Sequence, residues 1–256
     1  MRVVYKLEVT QKGIIPDPCG PGAMQVDDAQ VSWEVDAGGS LQLVSIEFSG
    51  VPLRKSADGR ILTTWPELES RAFSVAAYVA NCALIQVGVD IIDPASVLRT
   101  TPEALPETSA ERAEFGAHPM TRGGTIQVGW AVRGRFQPGC FVASYNHSAA
   151  IAIYADGLRA ADPCSQFEQL YKVLGHFFPN KTGNDLDAAV SAHASNFDPS
   201  RYSKKLIKGL RELRNDCMHP DRPGYVSSQN VTLLRKVPSQ LPDIRELAHL
   251  LLKHPP

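Results

Sequence analysis

Residues 162–178 read DPCSQFEQLYKVLGHFF. Their spacing decides the back half of the chain. Asp162 has the side chain of a helix N-cap, and Pro163 carries the fixed φ that suits a first helical position. Phe167, Leu170, Tyr171, Leu174, Phe177 and Phe178 then recur at intervals of three and four, which lines them along one helical face. The same period runs outward on both sides from Asn146. SAAIAIYADGLRA (148–160), NDLDAAVSAHASNF (184–197), SRYSKKLIKGLRELRNDCM (200–218) and LPDIRELAHLLLKH (241–254) each read as a helix. In the last, Pro242 falls near the start. Five such elements at ordinary loop lengths predict an all-α helical bundle over residues 143–256.

Toward the N-terminus the period changes from helical to alternating. VVYKLEV (3–9), AMQVDDAQVSWEV (23–35) and LQLVSIEF (41–48) alternate apolar with polar residues, and DAGG (36–39) joins the last two. This is the pattern of antiparallel strands with a hairpin. GIIPDPCGPG (13–22) is rich in Pro and Gly and reads as a loop. Residues Trp65 to Gln86 read as a helix, with Thr64 as N-cap and Pro66 in the first turn. Asp93 to Arg122 holds four prolines and room for one short helix near Ser109–Phe115, and Gly124 to Phe136 alternates again as a strand. Residues 1–142 are thus an expected mixed α/β region with a small antiparallel sheet, and the whole chain is α+β.

Composition sets outer bounds. The apolar share is 43% and the charged share 21%, as in ordinary globular proteins. The net charge of −1 hides an asymmetry. Residues 1–157 carry 12 Lys and Arg against 17 Asp and Glu, whereas residues 158–256 carry 14 against 10. The back half therefore suits an anionic partner better than the front. The five cysteines are widely spaced and include no Cys-x-x-Cys pair, which predicts free thiols in the cytoplasm and neither a structural zinc site nor another metal. The N-terminal stretch MRVVYKLEVT carries Lys6 and Glu8, which a secretory signal would lack. Ala72 to Val89 is uncharged, but Ser74, Asn81 and Gln86 interrupt it. It reads as a buried core helix and not a membrane span.

The helix at 200–218 runs into RNDCMHP (214–220). On a wheel of about 100° per residue, Leu206, Leu210, Leu213 and Cys217 share one side, with Ile207 at its edge. Arg201, Lys204, Lys208, Arg211, Asn215 and His219 form a separate stripe within about 80° of arc. Arg214 lies between the two. Pro220 biases His219 out of helical dihedrals, so the helix ends there. A basic face that complements the helix dipole is one reading. The other is a polar site. Arg is the preferred planar donor to phosphate, and His moves protons near neutral pH. Such a pair suits metal-independent and cofactor-free cleavage of a phosphodiester that uses the ribose 2′-hydroxyl as nucleophile, which confines it to RNA.

Arg214, Asn215 and His219, at the end of a late helix in a bundle, resemble the Arg-Asn-x-x-x-His motif of the HEPN superfamily. LRELRNDCMHPDRPGY (210–225) is similar to the wording around that motif, and residues 162–178 look like the family's aromatic leading helix. The resemblance covers about residues 146–256. It implies a homodimer whose two motifs meet in one composite site, with Arg214, Asn215 and His219 catalytic in active members. Active members are metal-independent endoribonucleases; others bind nucleotides or proteins without catalysis. Arg201, Lys204, Lys208 and Arg211 would then guide the RNA backbone. The whole chain also bears a looser resemblance to MauJ-type proteins encoded beside methylamine dehydrogenase genes, which suggests an accessory role and a protein partner for residues 1–142.

Other polar features are read as structural. Arg122-Gly-Gly-Thr lacks the lysine and spacing of a P-loop. His147, His176 and His193 have no ligand-spaced partner, and Ser195 has no glycine elbow. Asp185 and Asp187 read as first-turn charges that favour the helix dipole. Tyr225 reads as a buried tyrosine with a satisfied hydroxyl, or as a stacking platform for a base.

Overall fold

The computed structural model describes residues 1–116, 130–136, 145–218 and 231–256, with the side chains of 130–134, 136, 145 and 231–235 left aside. The fold is α+β, with an antiparallel sheet in the N-terminal part and most helices in the C-terminal half. The chain divides into two compact units, Met1–Asn146 and His147–Pro256. The division falls four residues beyond the one drawn from the sequence at 142/143. Among the described residues no helix is long and apolar enough to cross a membrane.

In the first unit, β1 (Arg2–Val9), β2 (Gln11–Pro16), β3 (Gly22–Val26), β4 (Ala29–Val35) and β5 (Leu41–Phe48) are followed by the short pair β6 (Arg54–Lys55) and β7 (Ile61–Leu62). The main sheet runs in the order β3-β4-β5-β1-β8, where β8 is Ile92–Asp93; β9 (Glu103–Leu105) pairs with the other end of the same β1 edge. Val3, Tyr5, Leu7 and Val9 of β1 alternate with exposed or half-buried neighbours, as a strand with one face on a core must. The DAGG hairpin forms as expected. Asp36 Oδ1 accepts the N–H groups of Gly38 (2.8 Å) and Ser40 (2.9 Å), and Gly39 supplies a φ of 79°.

Helix α1 (Pro66–Val87) is buried all round from Tyr78 to Leu84, which explains its lack of charge there. Its N-cap is Trp65 without a side-chain cap bond. Thr64, the expected cap, lies 3.0 Å from the Tyr5 hydroxyl instead. After α2 (Ser96–Arg99), the short helix expected near Ser109–Phe115 is α3 (Ser109–Gly116). It opens on a capping box: Thr108 Oγ1 accepts from the Glu111 N–H (3.2 Å), and Glu111 Oε2 accepts from that of Thr108 (3.1 Å). The Met1 ammonium also reaches Glu111 (2.7 Å), and these bonds hold its carboxyl at about 2.

Two expectations on this unit change. Ile14, Ile15 and Pro16, placed in a loop, belong to β2, which pairs in parallel with β10 (Trp130–Phe136). Residues 124–129, the first part of the expected last strand, lie outside the described residues. AMQVDDAQVSWEV is two strands, split at Asp27, whose φ of 53° makes the turn between β3 and β4.

The second unit holds α4 (Ser148–Arg159), α5 (Pro163–Phe177), α6 (Gly183–Ala194), α7 (Lys204–Met218) and α8 (Val231–Lys253). Asp162 caps α5 as read: its carboxylate accepts the Ser165 N–H at 2.7 Å, with Pro163 directly behind. α5 packs on α4, α7 and α8, so its apolar stripe is the centre of the bundle. Phe167, Leu170 and Leu174 are almost fully buried there. The last helix begins ten residues before its expected start at Leu241 and carries Pro238 and Pro242 inside it. Both prolines are exposed, four residues apart on one face, where water can take the carbonyls they leave unbonded.

Candidate functional site

The spacing of Ile207, Leu210 and Leu213 turns α7 inward, and all three are at most 1% exposed. This face lies closer to Ile207 than the wheel placed it, because Leu206 and Cys217 are only half-buried. α7 packs against α5, α6 and α8, so three neighbours widen its covered arc. The shift draws Arg214 from the margin into the packing surface.

Arg214 is half-buried, and its Nη1 donates to Asn215 Oδ1 at 3.2 Å. Its Nε is sheltered from solvent and has no acceptor among the described residues. The structure thus brings Arg214 and Asn215 together at the last turn of α7. His219, Pro220 and Tyr225 lie outside the described residues.

The four cations assigned to an RNA backbone are not a uniform exposed stripe. Arg201 donates from Nη2 to Asp243 (2.9 Å) and from Nη1 to Glu246, which ties the segment before α7 to α8. Arg211 donates from Nε to both oxygens of Asp187 (3.0 Å each) and from Nη2 to Asn184 Oδ1 (3.1 Å). Lys208 lies 3.6 Å from Glu212 one turn on, and both are exposed. Lys204 is exposed and makes no ion pair among the described residues. Arg201 and Arg211 are thus held within the bundle. Carboxylates of their own bundle engage them, since a guanidinium near an acid on a neighbouring helix gains more than one left in water.

Asp187 is the residue that sequence reading misjudged. It is fully buried, the only charged side chain so placed among the described residues, and lies beyond the first turn of α6. The signal was present: Asp187, Val190 and Ala194 fall three and four apart, which puts a carboxylate on the apolar stripe of α6. Its partner Arg211 is held still more firmly protonated by the pairing. Tyr171, on α5, also feels this group. Burial, then the Asp187 charge, push its hydroxyl up to about 12, against the pull of Arg211 and Arg214. The Tyr171 hydroxyl is buried and finds no hydrogen-bond partner among the described residues.

The site is therefore a short ladder of polar groups inside the seam between α5, α6 and α7. Asp187 and Arg211 neutralise each other at its floor. Tyr171 and Arg214 lie beside them with donors to spare. Asn215 steadies the Arg214 guanidinium. Chemically, this arrangement offers a fixed positive group for an oxyanion, with its orientation set by neighbours on rigid helices. Comparison with known proteins adds no identity: no family model, no curated protein and no solved structure matches this chain.

Proposed function

We propose that the C-terminal unit is a HEPN-like, metal-independent endoribonuclease whose site is completed in a homodimer in the cytoplasm. The observation that carries this reading is the hydrogen-bonded pair Arg214–Asn215, set half-buried on the last turn of α7 in an all-α unit. In this reading His219 takes the proton from the ribose 2′-hydroxyl or returns one to the leaving 5′-oxygen. Arg214 stabilises the charged phosphorane, and Asn215 holds the guanidinium in orientation. Lys204 and Lys208, both exposed, guide the backbone. Arg201 and Arg211 hold the scaffold through their carboxylate partners. The N-terminal unit recognises a protein partner or regulates cleavage. The test is cleavage of single-stranded RNA in EDTA by the whole chain and by His219→Ala. Cleavage by the former alone is expected; equal activity in both, or none in either across varied RNAs, sinks the catalytic reading.

A second reading has its own observation. Arg201 and Arg211 are spent on internal ion pairs, and Arg214 is partly inside the fold. This favours a non-catalytic dimerisation or adaptor module, in an accessory role like that of MauJ-type proteins. Arg214→Ala should then lower the melting temperature or shift dimer toward monomer. If both stay unchanged, the scaffold role is lost.

A further inference from the structure

Two of the chain's thiols lie against each other in the seam that carries Arg214. Cys164 is in the first turn of α5, and Cys217 is one residue from the end of α7. The helices pack together, and the Cys164 and Cys217 side chains interact with each other between them. Both are free and half-buried, so neither is sealed in the core as Cys82 is. The pairing also fits the course of the helices. Tyr171, two turns along α5 from Cys164, interacts with Arg211 and Arg214, which precede Cys217 on α7. Antiparallel packing thus sets Cys164 opposite Cys217 along a continuous seam. Among the described residues no cluster of three or more potential metal ligands forms.

We propose that Cys164 and Cys217 are a reversible disulfide site, closed by hydrogen peroxide, that latches the last turn of α7 to the first turn of α5. In the first step the Cys164 thiolate attacks a peroxide oxygen. The O–O bond breaks, leaving a sulfenic acid on Cys164 and, after protonation, one water. In the second step the Cys217 sulfur attacks the Cys164 sulfur. The S–O bond breaks, a second water leaves with the Cys217 proton, and the S–S bond forms. The two thiols lose two electrons, and the peroxide is reduced to two waters. Cys164 acts first because burial, with Cys164 beside it, pushes the Cys217 thiol up to about 12. Burial also raises Cys164, so oxidation is slower than at a dedicated peroxide sensor.

Closure draws the two neighbouring sulfurs into a covalent bond, which requires Cα atoms about 4.4–6.8 Å apart. Arg214 and Asn215 are on the same turn as Cys217, so the latch moves the candidate site. That consequence rests on the endoribonuclease reading; the disulfide itself does not. The experiment is a peptide map of the folded whole chain after hydrogen peroxide, quenching and alkylation. The expected product has lost two hydrogens, links the Cys164 and Cys217 peptides, leaves Cys19 alkylated and reverts with dithiothreitol. Cys164→Ser should form no such bond, whereas Cys217→Ser should leave a sulfenic acid on Cys164 that dimedone traps. Failure to link the two cysteines in folded protein, or linkage only after denaturation, overturns the proposal. A latch that forms in a chain that cleaves no RNA upholds the disulfide and removes the nuclease reading. In a cleaving chain, oxidation should reduce the rate severalfold and dithiothreitol should restore it.

Discussion

The two units bury different kinds of matter. Among the described residues of the first, the buried polar side chains of this kind are Asn81 and Ser96, both neutral, and the charge it buries is the Met1 ammonium of the backbone. Its interior is decided by shape: Tyr5 stands edge-on to Phe48 at 6.4 Å, and the Trp33 ring lies over Gly22. The second unit buries a whole carboxylate, Asp187, and brings the Arg211 guanidinium in to meet it. A buried ion pair rarely adds net stability over apolar packing, so its presence near α7 marks a place where polarity itself has a use. The comparison predicts that charge breaks the second unit and shape breaks the first.

The largest effect belongs to Arg211→Ala. It leaves Asp187 buried with its charge unmatched, and should destabilise the second unit by about 3–5 kcal/mol in chemical denaturation. An effect below about 1 kcal/mol would mean that the pair is not the internal anchor described. The counterpart in the first unit is Gly22→Ala. Its new Cβ would sit 2.4 Å from Trp33 Cζ2, directly across the β3–β4 pairing, so the indole must shift. Overpacking of this kind costs about 1–3 kcal/mol and should be insensitive to salt and pH. Tryptophan fluorescence should report the displaced ring.

Asp162→Ala comes next and tests a local rule against both. Loss of the cap bond to Ser165 should cost about 1 kcal/mol. The Ser165 N–H holds the Asp162 carboxyl below its ordinary range, so the folded chain binds its proton less readily than the unfolded one. The contribution is therefore full above the ordinary aspartate value and disappears as pH falls through the lowered one. Wild type and variant should converge in stability in acid and separate toward neutrality. A difference that persists unchanged in acid would rule out the carboxylate as its source.

These residues also show what a sequence reveals. Asp162, Pro163 and the α5 stripe were legible because caps and helical period are local. So were the alternation of β1 and the Asp36 hairpin. Ile14–Pro16 were not, because their partner is a strand more than a hundred residues away. Thr64 was given a local bond that Tyr5 took instead. Pro242 suggested a late start for a helix whose exposed face tolerates both it and Pro238. At the candidate site, Arg214 and Asn215 were legible as polar neighbours near the end of a late helix. Asp187 was visible only as a charge, because its partner on α7 cannot be read from α6. The partners of Arg201 and Arg211 were illegible for the same reason: a wheel shows which side a cation is on, not which acid the next helix brings to it.

The smallest predicted effect has the opposite sign from the rest. Tyr171 is 8% exposed, and its hydroxyl is buried without a partner among the described residues, beside an Arg214 Nε in the same condition. A buried hydroxyl left unbonded is a cost to the folded state, so removing it with the ring in place should be neutral or stabilising. Tyr171→Phe should therefore raise stability by up to about 1 kcal/mol, within the range of a mutational hydrogen-bond term. If it destabilises by that amount, the hydroxyl has a bond in solution, and the polar ladder of the α5–α7 seam is closed. If it stabilises, the fold retains an unsatisfied group beside Arg214 where an apolar ring would serve it better. Cores fill such positions with phenylalanine unless the polar atom is used. A gain in stability accompanied by weaker binding of a single-stranded RNA oligonucleotide would locate that use at Arg214, and a gain without it would leave Tyr171 as packing alone.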